Sequence, residues 1–318
     1  MKGVTWLVWR RHRTARWALL AGTALVAGYF AYGAYGAADA VVRQLDGCTG
    51  AGAENSRRCM DALTDFQQQH QYPLRRPLQV LVLLPLVFGL FLGAPLFAQE
   101  LESGTYRTAL AQSVTRTRWF LANLAVPAAL TVLFAGLVTA AATWWWHTVA
   151  VPLGSRFPWY GLMPYDAIGP APVAKAVLML LVGIALSLLI RRTVAAMGAA
   201  LAVGGILLFA LERMRAALWP SVLVRQQGAD VPGAPDGAWV LGEGLLSAEG
   251  RRIPDVPRCW GAEDYGQCLA RHGATGRWAE YHPQAHLWPL QWVETGLCLA
   301  VAAALAAGCF WWTRRRLT

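Results

Sequence analysis

The chain has 318 residues, of which 56% are hydrophobic and 14% charged, with a formal net charge of +10. A soluble protein of this length cannot hide so much apolar surface, so the composition excludes an ordinary soluble enzyme and makes the bilayer the solvent for much of the chain. The charge does not indicate nucleic acid as a partner, because the arginines gather at the ends of apolar runs rather than on a separate polar face.

Trp6 and Trp9 with Arg10 and Arg13 have helical spacing and predict a helix lying in the inner membrane interface. An ordinary aromatic and basic anchor accounts for the same residues. The first apolar run, 17–37, exceeds a typical signal core and reads as a retained anchor. A first outer loop, 38–77, leads to the second run, 78–98. There Gly89 and Gly93, between Pro85 and Pro95, permit close helix approach, a dimer seam being one use. A polar segment, 99–119, precedes the third run, 120–146, which ends in the interfacial belt of Trp144, Trp145 and Trp146. A short stretch, 148–171, leads into the fourth run, 172–190; Arg191 and Arg192 then separate it from the fifth, 193–211. A long segment, 212–294, precedes the sixth run, 295–312, and the closing Arg314, Arg315 and Arg316.

Each run is near the roughly 20 residues a helix needs to cross the hydrocarbon core. With six spans, the basic clusters Arg10 to Arg16, Arg107 to Arg118, Arg191 with Arg192, and Arg314 to Arg316 all fall on one side, which places both termini in the cytoplasm. The expected fold is an all-α membrane protein of six transmembrane helices. It has an amino-terminal interfacial helix, a cytoplasmic coupling helix between spans two and three, and small disulfide-braced outer loops.

Cys48 with Cys59 and Cys259 with Cys268 lie in the outer segments and predict two local disulfides on the oxidising face. Metal binding with His272, His282 and His286 is the alternative, but neither pair has the two-to-four-residue gap of a structural zinc site, and no metal is expected. Cys298 and Cys309, inside the last span, read as small core residues. No phosphate-binding glycine loop with a lysine occurs, and no hydrolase motif nominates a catalytic residue. The chain is therefore read as no enzyme, with no cofactor of its own.

Lys175, Glu212, Arg213 and Glu294 lie within or beside the spans and are candidate cavity or gate charges, since a charge at membrane depth costs about 3 kcal/mol or more unless it finds a partner or water. Lys175 either snorkels outward along its stem or faces a cavity and pairs with Glu294 or Asp166.

Three blocks resemble the permease subunits of bacterial ABC exporters, the six-span type-two group common in high-GC bacteria. The first is Gly93-Ala-Pro-Leu-Phe-Ala-Gln-Glu-Leu-Glu-Ser-Gly-Thr105 followed by Gln112-Ser-Val-Thr-Arg-Thr-Arg-Trp119. The second is Tyr165-Asp-Ala-Ile-Gly-Pro-Ala-Pro-Val173 leading to Arg191-Arg-Thr-Val-Ala-Ala-Met197, and the third runs from Tyr281-His-Pro-Gln-Ala-His-Leu-Trp288 through Glu294 to the final arginines. Gln99, Leu110 and His286 depart from residues common in the family. The resemblance implies one permease domain over 1–318 and makes 99–119 the coupling segment, with Glu100, Glu102, Thr105, Arg107, Gln112, Ser113, Thr115 and Arg116 as contacts for a separate cytosolic ABC ATPase that holds ATP and Mg. It also implies a second permease copy as partner, membrane lipid around it, and a multi-pass place in the bacterial cell membrane.

The function expected is an ATP-driven exporter permease for an amphiphilic cargo, such as a natural product, antibiotic, peptide or lipid. The alternative is a non-transporting membrane sensor or scaffold whose outer domain binds a ligand. An ion-driven transporter ranks third, because inverted repeats and mid-span carboxylates are not evident.

Overall fold

The computed structural model describes residues 13–46, 48, 56–105, 115–153, 158–160, 164–227, 234–254, 259 and 264–316. The expected amino-terminal interfacial helix, with Trp6, Trp9 and Arg10, lies outside the described residues. The chain divides into two compact units, one of Met1–Leu153, Gly161–Arg213 and Gln291–Thr318, the other of Gly154–Tyr160 and Met214–Leu290.

The first unit is helical. Helix α1 is Arg13–Gln44 and α2 is Arg57–Phe66. A π turn, Gln67–Gln71, leads to α3, Tyr72–Val82, and α4 is Leu84–Val87. A second π turn, Phe88–Gly93, joins α4 to α5, Ala94–Ser103. The remaining helices are α6, Arg116–Leu153; α7, Ala171–Ile190; α8, Thr193–Met214; and α10, Leu287–Arg316, which begins in the second unit.

Among the described residues, five helices are long and apolar enough to cross a membrane: Leu84–Ser103, Arg116–Val149, Ala171–Ile190, Thr193–Ala217 and Gln284–Arg315. The run 17–37 is helical within α1, but α1 is not among the five. The segment expected as a first outer loop is itself largely helical, since α1 runs to Gln44 and helix resumes at Arg57. The Cys48–Cys59 disulfide ties Cys48, four residues past the end of α1, to α2, with the Cα atoms 5.3 Å apart.

Helix α7 is the best-buried span, with 67% of its apolar window buried against 22% for Thr193–Ala217. The reason is a stripe of small residues. A Cβ on Gly89 would stand 2.7 Å from the Met179 carbonyl oxygen, one on Gly93 would strike the Leu180 carbonyl, and one on Gly183 would strike the Gly89 carbonyl. The Gly89 and Gly93 pair therefore serves an approach to α7 within the chain, where the sequence also allowed a dimer seam. The π turn belongs to this contact. Pro95 has no N–H and its ring crowds the carbonyl four residues back, so the backbone widens and the Ala94 N–H bonds the Gly89 carbonyl instead.

The second unit is an antiparallel sheet, which the all-α reading did not anticipate. Strands β1 (Val222–Gln227), β2 (Trp239–Leu246), β3 (Arg252–Ile253) and β4 (Gly276–His282) lie in the order β1-β4-β2-β3. Gly244 faces Trp278 across the ladder, and the indole lies over Gly242 and Gly244, where a Cβ on Gly244 would be 2.8 Å from Nε1. The Arg252 guanidinium caps the same indole, 3.8 Å from its centroid. A short helix, α9 (Tyr265–Arg271), packs Leu269 with Leu245, Cys259 and Ala274 in a small apolar core.

Gly183→Val is expected to destabilise the first unit by about 1 to 3 kcal/mol, because backbone atoms cannot make room as a flexible side chain would. Gly136→Ala, which meets nothing within 4 Å, is expected to leave stability unchanged or slightly raised. Thermal unfolding in detergent, followed by tryptophan fluorescence, distinguishes the two; equal midpoints would refute the close-packing account.

Candidate functional site

Two polar constellations stand at opposite ends of α7 in the first unit. At its carboxyl end, α7 stops at Arg191, whose φ of 59° turns the chain left-handed, and α8 begins two residues later at Thr193. The Glu102 carboxylate reaches this start from α5, accepting hydrogen bonds from the Thr193 N–H at 2.9 Å and the Thr193 hydroxyl at 2.7 Å. A carboxylate at a helix amino terminus satisfies orphan N–H groups and suits the dipole. Two residues earlier, Glu100 accepts from the Trp119 indole N–H at 2.9 Å, joining α5 to α6. Thr115 opens α6 as its cap, its hydroxyl accepting weakly from the Arg118 N–H at 3.3 Å. Arg116 reaches the Arg314 carbonyl at the end of α10. Beneath these groups Phe97 stacks on Phe120 and meets Trp119 edge-on, with ring centroids 5.5 and 5.0 Å away.

Of the expected coupling residues, Glu100, Glu102, Thr115 and Arg116 thus gather at one end of the bundle, each with a partner inside the chain. Thr105 is exposed and its hydroxyl meets Ser103 at 2.9 Å. Arg107, Gln112 and Ser113 lie outside the described residues. Glu100 and Glu102 hold neighbouring helix ends together, roles that residue type alone did not announce.

At the amino end of α7 lies a buried ion cluster. Lys175 is 3% exposed, Asp166 7% and Glu294 0%. The ammonium contacts the Asp166 carboxylate and stands 2.7 Å from Glu294 Oε1. The outward-snorkelling reading of Lys175 is therefore replaced by the paired one, because two carboxylates compensate the charge more fully than a reach to the interface. Gln291 completes the arrangement: its side-chain oxygen accepts from the Ala171 N–H at 3.0 Å, and its amide donates to the Tyr165 carbonyl at 2.9 Å. One residue of α10 thereby caps α7 and fixes the preceding loop. Both carboxylates thus meet the ammonium close to the amino end of α7, whose dipole favours acidic groups. Glu212 is half-buried and Arg213 exposed with its guanidinium over Phe209, and neither joins this cluster. Nothing in their spacing reveals Gln291 or Tyr165 as members, since these lie 126 residues apart.

Beside the cluster an open cleft of about 500 Å³ is lined by Gly136, Thr139, Ala140, Thr143, Trp144, His147, Gly169 and Val173. Its hydroxyls are engaged: Thr143 donates to the Thr139 carbonyl and accepts from the Gly169 N–H. What remains is a largely apolar trough that His147 also lines.

In the second unit the Cys259 and Cys268 sulfurs are bonded to each other, with His272 close by. His282 and His286 form a separate contact, Nδ1 to Nδ1 at 3.0 Å.

Removing one partner of a buried ion group strands the others. Lys175→Met is expected to cost about 3 to 5 kcal/mol, because two buried carboxylates lose the ammonium that they contact. Lys175→Arg retains the charge and should lose less. Detergent unfolding midpoints check this ranking, and a Met variant as stable as the parent would sink the cluster's structural role.

A protein-family model described as ABC-2 membrane transporter related matches residues 20–215. Comparison with curated proteins and with solved structures finds no match. The matched region takes in most of α1, all of α2 to α8 and the segment between α5 and α6, and leaves out α10. Such a family supplies a membrane permease of ABC-type transport, has no ATPase motif of its own and generally works with an ATPase partner. Covering well over half of the chain, this match shows that the protein belongs to the ABC-2 membrane transporter related family.

Proposed function

We propose that the chain is the permease of an ATP-driven exporter, pairing with a second copy of itself and with two cytosolic ATPase subunits that hold ATP and Mg. The family match over 20–215 carries this reading. In it, α1 is the first of six spans, both termini face the cytoplasm, and 99–119 is the coupling segment that docks on the ATPase. Support comes from the chain's alternation: α5, α7 and α10 end near the points where α6 and α8 begin, through Glu102 with Thr193 and Arg116 with Arg314. That end carries the arginine-rich turns, as the cytoplasmic side should. The cargo is amphiphilic, its apolar part suited to the trough beside the ion cluster. Lys175 and Glu294 act there as gate charges that hold α7 to α10.

The sensor or scaffold reading keeps one observation in its favour. The second unit has its own sheet, disulfide and apolar core, which is more than a span connection requires.

The coupling test must separate charge from architecture, since Glu100→Lys and Glu102→Lys would also break the Trp119 and Thr193 hydrogen bonds. The pair Glu100→Gln and Glu102→Gln keeps an acceptor oxygen at each place while removing the charge. With an ABC ATPase subunit as partner, the Gln pair is expected to keep its unfolding midpoint yet lose capture of the ATPase, or its substrate-stimulated hydrolysis, several-fold. Unchanged capture and hydrolysis in both the Gln and the Lys pairs, with the protein folded in lipid, would count decisively against this segment as the docking site.

A further inference from the structure

We propose that the Cys259–Cys268 disulfide is a thiol-exchange site, attacked at Cys268 by a small-molecule thiol or an accessible dithiol, with His272 donating a hydrogen bond to the departing Cys259 sulfur. The inference concerns the second unit alone and does not rest on the transport reading.

The two sulfurs differ in surroundings. Cys259 is fully buried in the small core with Leu245, Leu269 and Ala274, while Cys268, on α9, is partly exposed. An incoming thiolate therefore meets Cys268 first. His272 follows α9 directly, and its Nδ1 lies 2.9 Å from the Cys268 carbonyl and 3.8 Å from Cys259 Sγ. A carbonyl only accepts, so Nδ1 carries the hydrogen, and the same N–H faces the sulfur that leaves. This tautomer also disfavours Nδ1 as a metal ligand, although Cys259, Cys268 and His272 present their ligand atoms within 4.8 Å of one another. By contrast, Cys48 and Cys59 are both buried, which leaves neither sulfur open to attack.

In the exchange, the thiolate of the incoming molecule bonds to Cys268 Sγ while the Cys259–Cys268 bond breaks. The electron pair of that bond passes to Cys259 Sγ, where the His272 N–H and then a proton receive it. A dithiol completes the cycle: its second thiolate attacks its own sulfur in the mixed disulfide, and Cys268 leaves as a thiol after taking a proton. Two electrons and two protons have then moved from the dithiol to the pair. Burial of Cys259 makes it a poor leaving group by itself, and a nearby hydrogen-bond donor opposes that penalty.

The test exposes the full-length protein in lipid nanodiscs to graded glutathione and to dithiothreitol, then alkylates and maps each cysteine by mass spectrometry. Cys259–Cys268 is expected to open at lower thiol concentration than Cys48–Cys59, with the glutathione adduct on Cys268, and His272→Ala should slow opening roughly three- to tenfold. Equal opening of the two disulfides, an adduct on Cys259, or an unchanged rate in folded His272→Ala protein would overturn the proposal. Zinc retained by the reduced protein in place of an adduct would also overturn it, by making the trio a metal site. The adduct position is read on the unaltered protein, so the proposal stays testable if the variant misfolds.

Discussion

Helix α7 lies so close to the turn before α5 that three glycines have no space for a methyl group, and this backbone contact sets the positions of both polar ends. Gly89, Gly93 and Gly183 let carbonyls and Cα atoms meet directly. Such contact suits a membrane, where apolar side chains gain nothing by leaving lipid for one another and packing depends on close fit. It also fixes α7 in register with the chain before α5. With that register set, Arg191 falls where Glu102 can cap the next helix, and Lys175 falls where Asp166 and Glu294 can enclose it.

The ion cluster shows how a costly group is made tolerable. A lone ammonium at this depth would cost several kcal/mol, and a single carboxylate beside it would leave the amino end of α7 without counter-charge. Two carboxylates and the Gln291 amide answer both needs. The energy of the cluster is thus conditional on α10 lying beside α7, because Glu294 and Gln291 both come from α10. Any movement that separates these helices must either carry water to the ions or protonate a carboxylate.

Several features were legible in the sequence because they depend on neighbours in the chain. Five of the six apolar runs lie in helices long and apolar enough to cross a membrane among the described residues, and the cysteines 11 and 9 residues apart are bonded pair by pair. Others depend on partners far along the chain. Glu102 is 91 residues from Thr193, and Glu100 is 19 residues from Trp119, so a polar run suited to a docking surface could not disclose that its two glutamates also fasten helices. The sheet was hidden for a different reason. Strand β2 contains Gly242 and Gly244, which locally argue against a strand. They are tolerated because the Trp278 indole fills the space their missing side chains leave.

In the exporter reading, these ties determine where force can go. A push on the segment after α5 meets no free helix end: Glu102 passes it to α8, Glu100 to α6, and Arg116 onward to the end of α10. These bonds tie the helix ends at this face to one another. Relative motion is instead concentrated where helices are held by fewer and more polar contacts, and the Lys175 cluster between α7 and α10 is such a place. An ion group can exchange partners or admit water over a small displacement, whereas the glycine contact between α7 and the π turn can only hold or break. The physical asymmetry puts the rigid element along α7 and its glycine partners, and the yielding one at the α10 side of the ion cluster.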